Sequence, residues 1–278
     1  SPAASLSPAW RARRAHSVHA MYLGEPLLNP RLYEILRGLR GRLPRGGTLG
    51  LCSNAVLMDA AHSKRLLGAG LDYLFFHLDA ATAATARRIR RGLDFEAAVG
   101  NMRGFMRLRG EAGMKRPWVT ANFVIFEENR EEIPAFLELA ANLGLDAVRL
   151  ALYRDDLTQT FVGLDPDRLG PLFERAREIA AGSGVALLAP ALQRSSEPRC
   201  RFMQTVYVHP SGDVVPCCRW QPSCASFPNE PRVFGNVRRT LLAKIWKIPE
   251  YREFRRRVLT GDLPDSCDGC DLLTGLLA

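Results

Sequence analysis

Lysine is nearly absent from this chain. Of its 38 basic residues only Lys64, Lys115, Lys244 and Lys247 are lysines, so arginine carries the formal net charge of +9. The arginines are spread along the chain, often beside Glu or Asp, which reads as a coding bias in Ala, Arg and Gly rather than a stripe that tracks a phosphate backbone. The densest group lies within residues 252–257, the one place where an anionic partner stays open; nucleic acid is otherwise not an expected partner. Long apolar runs are missing too, none approaching the ~20 residues that cross a bilayer. No charged and apolar leader opens the sequence. The expectation is a soluble, cytoplasmic protein with no membrane partner. Cysteine is scarce over the first 199 residues, where Cys52 stands alone, and an odd total of seven in such a compartment argues against a disulfide scaffold. The first methionine is Met21, and residues 1–14 are a Pro/Ala/Ser/Arg stretch without periodicity, which reads as a piece of a longer protein.

What is present suffices for a sizeable core. At 278 residues, 47% hydrophobic and 24% charged, the composition excludes a disordered tail and a collagen-like fibre. The length suits one large domain, or a large one with a small one.

Between residues 18 and 189, short apolar runs alternate with amphipathic helical stretches, the pattern of successive βα units around a parallel sheet. Candidate strands are residues 18–23, 48–52, 73–78, 119–125 and 147–152. Asn29-Pro30 and Asp165-Pro166 each set a capping side chain before a proline, marking helix starts, and Asn129 with Glu132 reads as a capping-box variant. Gly70 and Gly144 sit where helix ends should turn left-handed. Ile133, Phe136, Leu137, Ala140 and Leu143 share one helical face, to be packed on the sheet. No internal repeat of useful length is visible beyond the βα alternation. Near residue 193 the character changes, giving an α/β domain over 1–192 and a small cysteine-rich α+β domain over 193–278. Residues 202–208 and 214–215 flank a Pro210-Ser211-Gly212-Asp213 turn as a hairpin, followed by short helices at 241–246 and 250–259.

Six of the seven cysteines, Cys200, Cys217, Cys218, Cys224, Cys267 and Cys270, fall in the last 79 residues. Buried structural thiols would be scattered, so the clustering favours a site. Cys267 and Cys270 form a C-x-x-C, whose spacing lets two sulfurs face one metal centre. Cys200 precedes the hairpin and Cys217 follows it, so a doubled-back ribbon returns them to each other. Four thiolates suit a [4Fe-4S] cluster or a zinc ion. Cys218 adjoins Cys217 and leaves the ligand open by one position. Cys224 reads as a spare thiol and Cys52 as a core residue.

The order Cys200, Gly212, Cys217, Gly235-Asn236, Ile245-Trp246 and Cys267-x-x-Cys270 resembles the SPASM auxiliary-cluster domain of radical S-adenosylmethionine (SAM) enzymes. Upstream, Gly24-Glu25-Pro26 resembles the family's G-G-E-P turn, with Leu23 in place of its first glycine. Ser53-Asn54-Ala55 resembles T-N-G; His77-Leu78-Asp79-Ala80 resembles S-x-D-G with His77 for serine; Ile89-Arg90-Arg91-Gly92 matches I-R-x-G. The resemblance implies a partial (β/α)6 TIM-like barrel missing its first βα unit. It implies that Gly24, Glu25 and Pro26 form the turn where Glu25 meets the methionyl amino group of SAM, that Arg90 pairs with its carboxylate, and that Asn54 and Asp79 line the pocket. Against these stand structural readings: Asn54 shaping a turn, Asp79 capping a helix, Arg90 a solvated charge. It also implies an auxiliary [4Fe-4S] cluster on Cys200, Cys217, Cys267 and Cys270, and a 5′-deoxyadenosyl radical that abstracts hydrogen from a peptide or small-molecule substrate. A reductant protein such as a flavodoxin or ferredoxin would supply the electron. The family's C-x-x-x-C-x-x-C, which binds a second [4Fe-4S] cluster, is not found upstream of Gly24. The expectations are either a truncated chain, inactive alone, whose intact form carries that cluster, or a degenerate, non-catalytic binding module with a structural Fe-S or zinc site.

Overall fold

A computed structural model describes residues 16–20, 24–153, 165–192, 200–217, 233–264 and 267. The chain divides into two compact units: residues 15–154 with 161–192, and residues 1–14, 155–160 and 193–278. In the first, β1 (Ser17–Ala20), α1 (Leu32–Arg40), β2 (Thr48–Ser53), α2 (Ala60–Leu67), β3 (Tyr73–His77), α3 (Ala83–Ile89), α4 (Phe95–Glu111), β4 (Trp118–Ile125), α5 (Ile133–Asn142), β5 (Ala147–Leu152), α6 (Pro166–Ser183) and β6 (Ala186–Leu188) follow in order. The strands form one sheet, β1-β2-β3-β4-β5-β6, parallel throughout. This is the α/β architecture of a partial TIM-like barrel. The sequence reading allowed five strands; residues 186–188 make a sixth, too short to show a period.

Strand alternation sorts side chains onto two faces. Leu49, Leu51, Leu74, Phe76, Val119, Ala121, Phe123, Val148 and Leu150 are buried on one of them. There Phe76 meets Phe105 of α4 edge-on at 6.3 Å, and Phe123 lies 4.7 Å from Phe136 of α5. The face predicted for α5 is buried at Ile133, Phe136, Leu137, Ala140 and Leu143. The opposite face carries a more polar set, Gly50, Cys52, His77, Thr120, Asn122 and Arg149, beside the aromatic rings of Tyr73 and Phe75.

The amino ends of β3 and β5 are built alike. Gly70 and Gly144 turn left-handed, at φ 72° and 69°; then come a buried leucine, Leu71 or Leu145, and an aspartate. The Asp72 carboxylate accepts the Leu49 N–H at 2.9 Å and pairs with Arg40 at 2.7 Å. The Asp146 carboxylate accepts the Val119 N–H at 2.7 Å and pairs with Arg109. In each, the aspartate locks the start of its own strand to the strand before.

Three local expectations need correction. α1 starts at Leu32, not after Asn29; Asn29 instead accepts the Arg31 N–H at 3.0 Å, forming a side-chain turn. Asn129 and Glu132 make no capping box, because each is engaged in longer-range contacts described below. In the second unit, residues 201–204 form a 3-10 helix, so the first hairpin strand, β7, is only Tyr207–Val208. β8 (Asp213–Val215) pairs with β7 and, on its other edge, with β9 (Gly235–Asn236), which the sequence reading did not mark as a strand. α7 (Leu242–Ile245) and α8 (Pro249–Thr260) complete this unit. Gly212, at φ 91°, lies where a Cβ would stand 2.7 Å from the Asn236 side chain.

Candidate functional site

Ligands of open parallel sheets collect at the carboxyl ends of the strands. In the first unit that edge holds the predicted residues. Gly24 at φ 113° opens the turn after β1, a conformation L side chains avoid. Glu25 then caps a 3-10 helix begun by Pro26, its carboxylate accepting the Leu27 N–H at 3.1 Å. The same carboxylate accepts Ser53 Oγ at 2.8 Å and the Asn54 N–H at 2.8 Å, tying the β1 turn to the end of β2. A carboxylate has about four acceptor positions, so three bonds leave room for one more donor. Asn54 Oδ1 accepts the Val56 N–H at 3.0 Å, so Asn54 shapes the turn, as its structural reading held. Ala55 is left-handed at φ 65°. Asn101 of α4 secures this bend by donating to the Ala55 and Val56 carbonyls, both at 2.9 Å.

At the end of β3, Asp79 is also left-handed, at φ 56°, and 2% exposed. It caps no helix; Thr82 caps α3. One Asp79 oxygen accepts the Val124 N–H at 2.8 Å, and the other holds Arg90 Nε at 2.6 Å and Nη2 at 2.5 Å. Arg90 is therefore not a loose surface charge. Asp79 fixes its plane, and Nη1 makes no hydrogen bond among the described residues. Asn129, fully buried, donates to the Asp79 and Val124 carbonyls at 2.8 Å and accepts the Phe126 N–H at 2.6 Å. Glu132 reaches back to the β3–α3 loop, accepting from the Ala81 N–H, Thr82 Oγ1 and Thr85 Oγ1 at 2.6–2.8 Å. Burial pushes the Glu132 carboxyl up, yet these hydrogen bonds together outweigh it and hold it below the usual range. Asn101, Asn129 and Glu132 fix the edge through partners 45–51 residues away, so local spacing held no signal for this role.

Cys52 is half-buried on the face opposite the helices, not in the core. Burial first, then the Glu25 and Asp79 charges, push its thiol up to about 12 against the opposing pull of Arg90. It is a neutral thiol at physiological pH, not a nucleophile.

In the second unit Cys217 and Cys267 lie 8% and 9% exposed in one core with Met203, Val214, Val215, Ile245, Tyr251 and Phe254, and Cys200 packs against that core. Three of the four predicted ligands thus share one hydrophobic cluster. Cys270, Cys218 and Cys224 lie outside the described residues, as do Tyr22 and Leu23. Among the described residues no three His, Cys, Asp or Glu side chains converge as a single ion requires. The donor chemistry fits an iron–sulfur cluster, which takes one thiolate per iron. Phe234 stacks on Tyr251 at 4.0 Å, and Arg255 lies over Trp246 at 3.7 Å. Gly235, at φ 156°, lets Ile245 approach to 3.0 Å of where a Cβ would be. The basic group at 252–257 is largely spent: Arg256 pairs with Glu253, Arg257 with Asp262, and Arg255 with the aromatic stack. No helix among the described residues is long and apolar enough to cross a membrane.

Comparison with known proteins agrees with this geometry. The radical SAM superfamily model matches residues 9–140, and the SPASM model, an iron-sulfur cluster-binding domain, matches residues 200–271. The tungsten-containing aldehyde ferredoxin oxidoreductase cofactor-modifying protein of Pyrococcus furiosus is 27% identical over 90% of this chain and 72% of its own. The PqqA peptide cyclase of Gluconobacter oxydans is 30% identical over 89% of this chain and 67% of its own. Streptococcus suis SuiB, in a crystal structure with precursor peptide SuiA, superposes with a TM-score of 0.64 at 16% identity, over 93% of this chain. The chain spans 59% of that structure's length. The chain therefore belongs to the radical SAM superfamily, with a C-terminal SPASM domain.

Proposed function

We propose that this chain is the SAM-binding and auxiliary-cluster portion of an enzyme that modifies a peptide by radical chemistry, with residues 1–192 as the partial barrel and 193–278 as the cluster domain. The observation that carries it is the Glu25 carboxylate, tied by three hydrogen bonds to its own turn and to the end of β2 at the carboxyl edge of the sheet, with Arg90 oriented by Asp79 on the same edge. Glu25 accepts an ammonium N–H of SAM at its remaining acceptor position. Arg90 offers Nη1 to the SAM carboxylate, and Asp79 keeps the guanidinium plane fixed for it. Asn54 holds the loop against which SAM lies. When bound with a reduced [4Fe-4S] cluster, SAM supplies a 5′-deoxyadenosyl radical that takes a hydrogen atom from substrate. No three-cysteine set precedes Gly24 in residues 1–278, so that step is assigned to a polypeptide that contains one. Cys200, Cys217, Cys267 and Cys270 would hold the auxiliary cluster, which would supply a site for substrate or a sink for the remaining electron. Thiolate ligands suit a reducing cytoplasm, and a small iron–sulfur or flavin protein suits the role of reductant. The peptide cyclase relative favours a peptide over a small molecule.

Two measurements test this. Anaerobic reconstitution is expected to load about four iron and four sulfide per chain, and calorimetry to detect SAM binding that Glu25→Gln weakens at least tenfold, about 1.4 kcal/mol. The chain alone, given SAM and dithionite, should release no 5′-deoxyadenosine. Zinc in place of iron, or SAM affinity indifferent to Glu25, would overturn the reading in favour of a non-catalytic module.

A further inference from the structure

Beyond the Glu25 and Arg90 cluster the sheet carries a second polar row. Register pairs His77 of β3 with Asn122 of β4, and Asn122 with Arg149 of β5. All three alternate with the residues packed under α4 and α5, so they share the opposite face. Asn122 Nδ2 lies 3.0 Å from His77 Nε2. Burial lowers the His77 pKa and so favours the neutral ring; with the Asn122 amide nitrogen facing it, Nε2 is the acceptor of that contact. That leaves Asn122 Oδ1 as the unused acceptor. It is buried without a hydrogen-bond partner, in a side chain belonging to a residue only 6% exposed.

Arg149 is the second anomaly. It is the one arginine within a strand among the described residues, and it is half-buried. The other partly buried guanidiniums of this unit, Arg40, Arg90, Arg109 and Arg130, each meet a carboxylate. Arg149 makes no hydrogen bond or ion pair among the described residues. A guanidinium withdrawn from water without an anion is unfavourable. Arg149 is the register partner of Asn122 on the neighbouring strand, the two backbones lying one strand spacing, about 4.8 Å, apart.

An anion for Arg149 and an N–H for Asn122 Oδ1, offered side by side, describe one residue of a peptide. We propose that Asn122 and Arg149 form the substrate-recognition row of this sheet and take a carboxylate-bearing peptide residue, its carboxylate on Arg149 and a neighbouring amide N–H on Asn122. This rests on the peptide reading above and narrows it to an acidic substrate. The planar guanidinium suits bidentate capture of a carboxylate.

The test uses the full chain, loaded with iron and saturated with SAM, and three heptapeptides of alanine: one with a central Glu and blocked ends, its Gln counterpart, and one without Glu but with a free C-terminal carboxylate. Binding is read by fluorescence anisotropy of labelled peptides. The Glu peptide is expected to bind at least tenfold more tightly than the Gln peptide. The free-terminus peptide tells whether a side-chain or a terminal carboxylate is the better source. Arg149→Gln should abolish the Glu/Gln difference, Arg149→Lys should retain part of it, and Asn122→Leu should weaken both peptides alike. SAM affinity should be unchanged in all three variants, which also reports that they fold. If SAM binds normally and wild type does not separate Glu from Gln, or Arg149→Gln leaves the separation intact, the recognition row is refuted while the SAM-site reading stands. If SAM does not bind wild type, the broader reading fails first.

Discussion

At the scale of single residues, His77 shows how a buried ring sets a pH limit. Its pKa is lowered by burial; Asp79 pulls the other way, while Arg90 and Arg149 add to the lowering. The unfolded ring titrates near 6.5, so below that pH the unfolded chain binds a proton that the folded chain refuses. The stabilisation from a neutral His77 is complete above about 6.5 and is lost as the pH falls toward the folded-state value. Urea midpoints recorded from pH 8 to 5 should therefore fall on the acid side, and His77→Gln, which keeps a hydrogen-bond donor and acceptor, should flatten that fall. An unchanged slope would assign the acid sensitivity to other groups. The residues at this edge were legible in the chain unevenly. Gly24, Glu25, Asn54, Asp79 and Arg90 sit in short motifs whose chemistry is local. That Asp79 and Arg90 face each other was not legible, because the loop and α3 between them decide it. Asn129 and Glu132 were misread for the reverse reason: their spacing matches a cap, yet Glu132 finds three donors on the β3–α3 loop and Asn129 two carbonyls and an N–H, and these partners win.

At the scale of elements, the sequence Gly-Leu-Asp occurs four times, at 70–72, 92–94, 144–146 and 163–165; Asp94 and Asp165 cap helices, whereas the copies at 70–72 and 144–146 do one other job twice. The glycine turns left-handed beyond a helix, the leucine enters the core, and the aspartate binds the preceding strand's N–H and an arginine of a nearby helix. Three residues are too few to register as a repeat without knowing what they touch. Asp146 and Arg109 are 19% and 12% exposed at the side chain. Asp146→Ala, which leaves the Val119 N–H and Arg109 without their acceptor, should cost about 2 kcal/mol, between a neutral hydrogen bond and a fully buried pair. Glu174→Gln, in the exposed pair with Arg177, should cost under about 0.5 kcal/mol. Thermal melts of the two variants check the contrast; equal losses would show that the aspartate is not a staple. Strands with dense β-branched and aromatic content were the easiest elements to read, whereas β6, β7 and β9, of two or three residues, carry too little sequence to show a period.

At the scale of the whole molecule, the two units hold different kinds of core. The sheet unit is closed by aliphatic and aromatic packing between strands and helices; the second unit buries two of its cysteines among Val214, Ile245, Tyr251 and Phe254. Stripping iron with a chelator under anaerobic conditions should empty part of that second core. Amide exchange is expected to quicken over residues 207–215 and 242–258 and to stay as before in β2 to β5, since opening is local where contacts are lost. Uniform quickening across both units would show that they unfold as one.

The Gly-Leu-Asp corners have a practical consequence for anyone who would redesign this protein. They anchor strand alignment from the amino end of the sheet, opposite the edge that carries Glu25 and Arg90, using residues next to each other in the chain. The loops at the far end are thereby relieved of holding the scaffold in register, so randomised libraries of those loops can be grafted and screened with the two aspartate corners left intact.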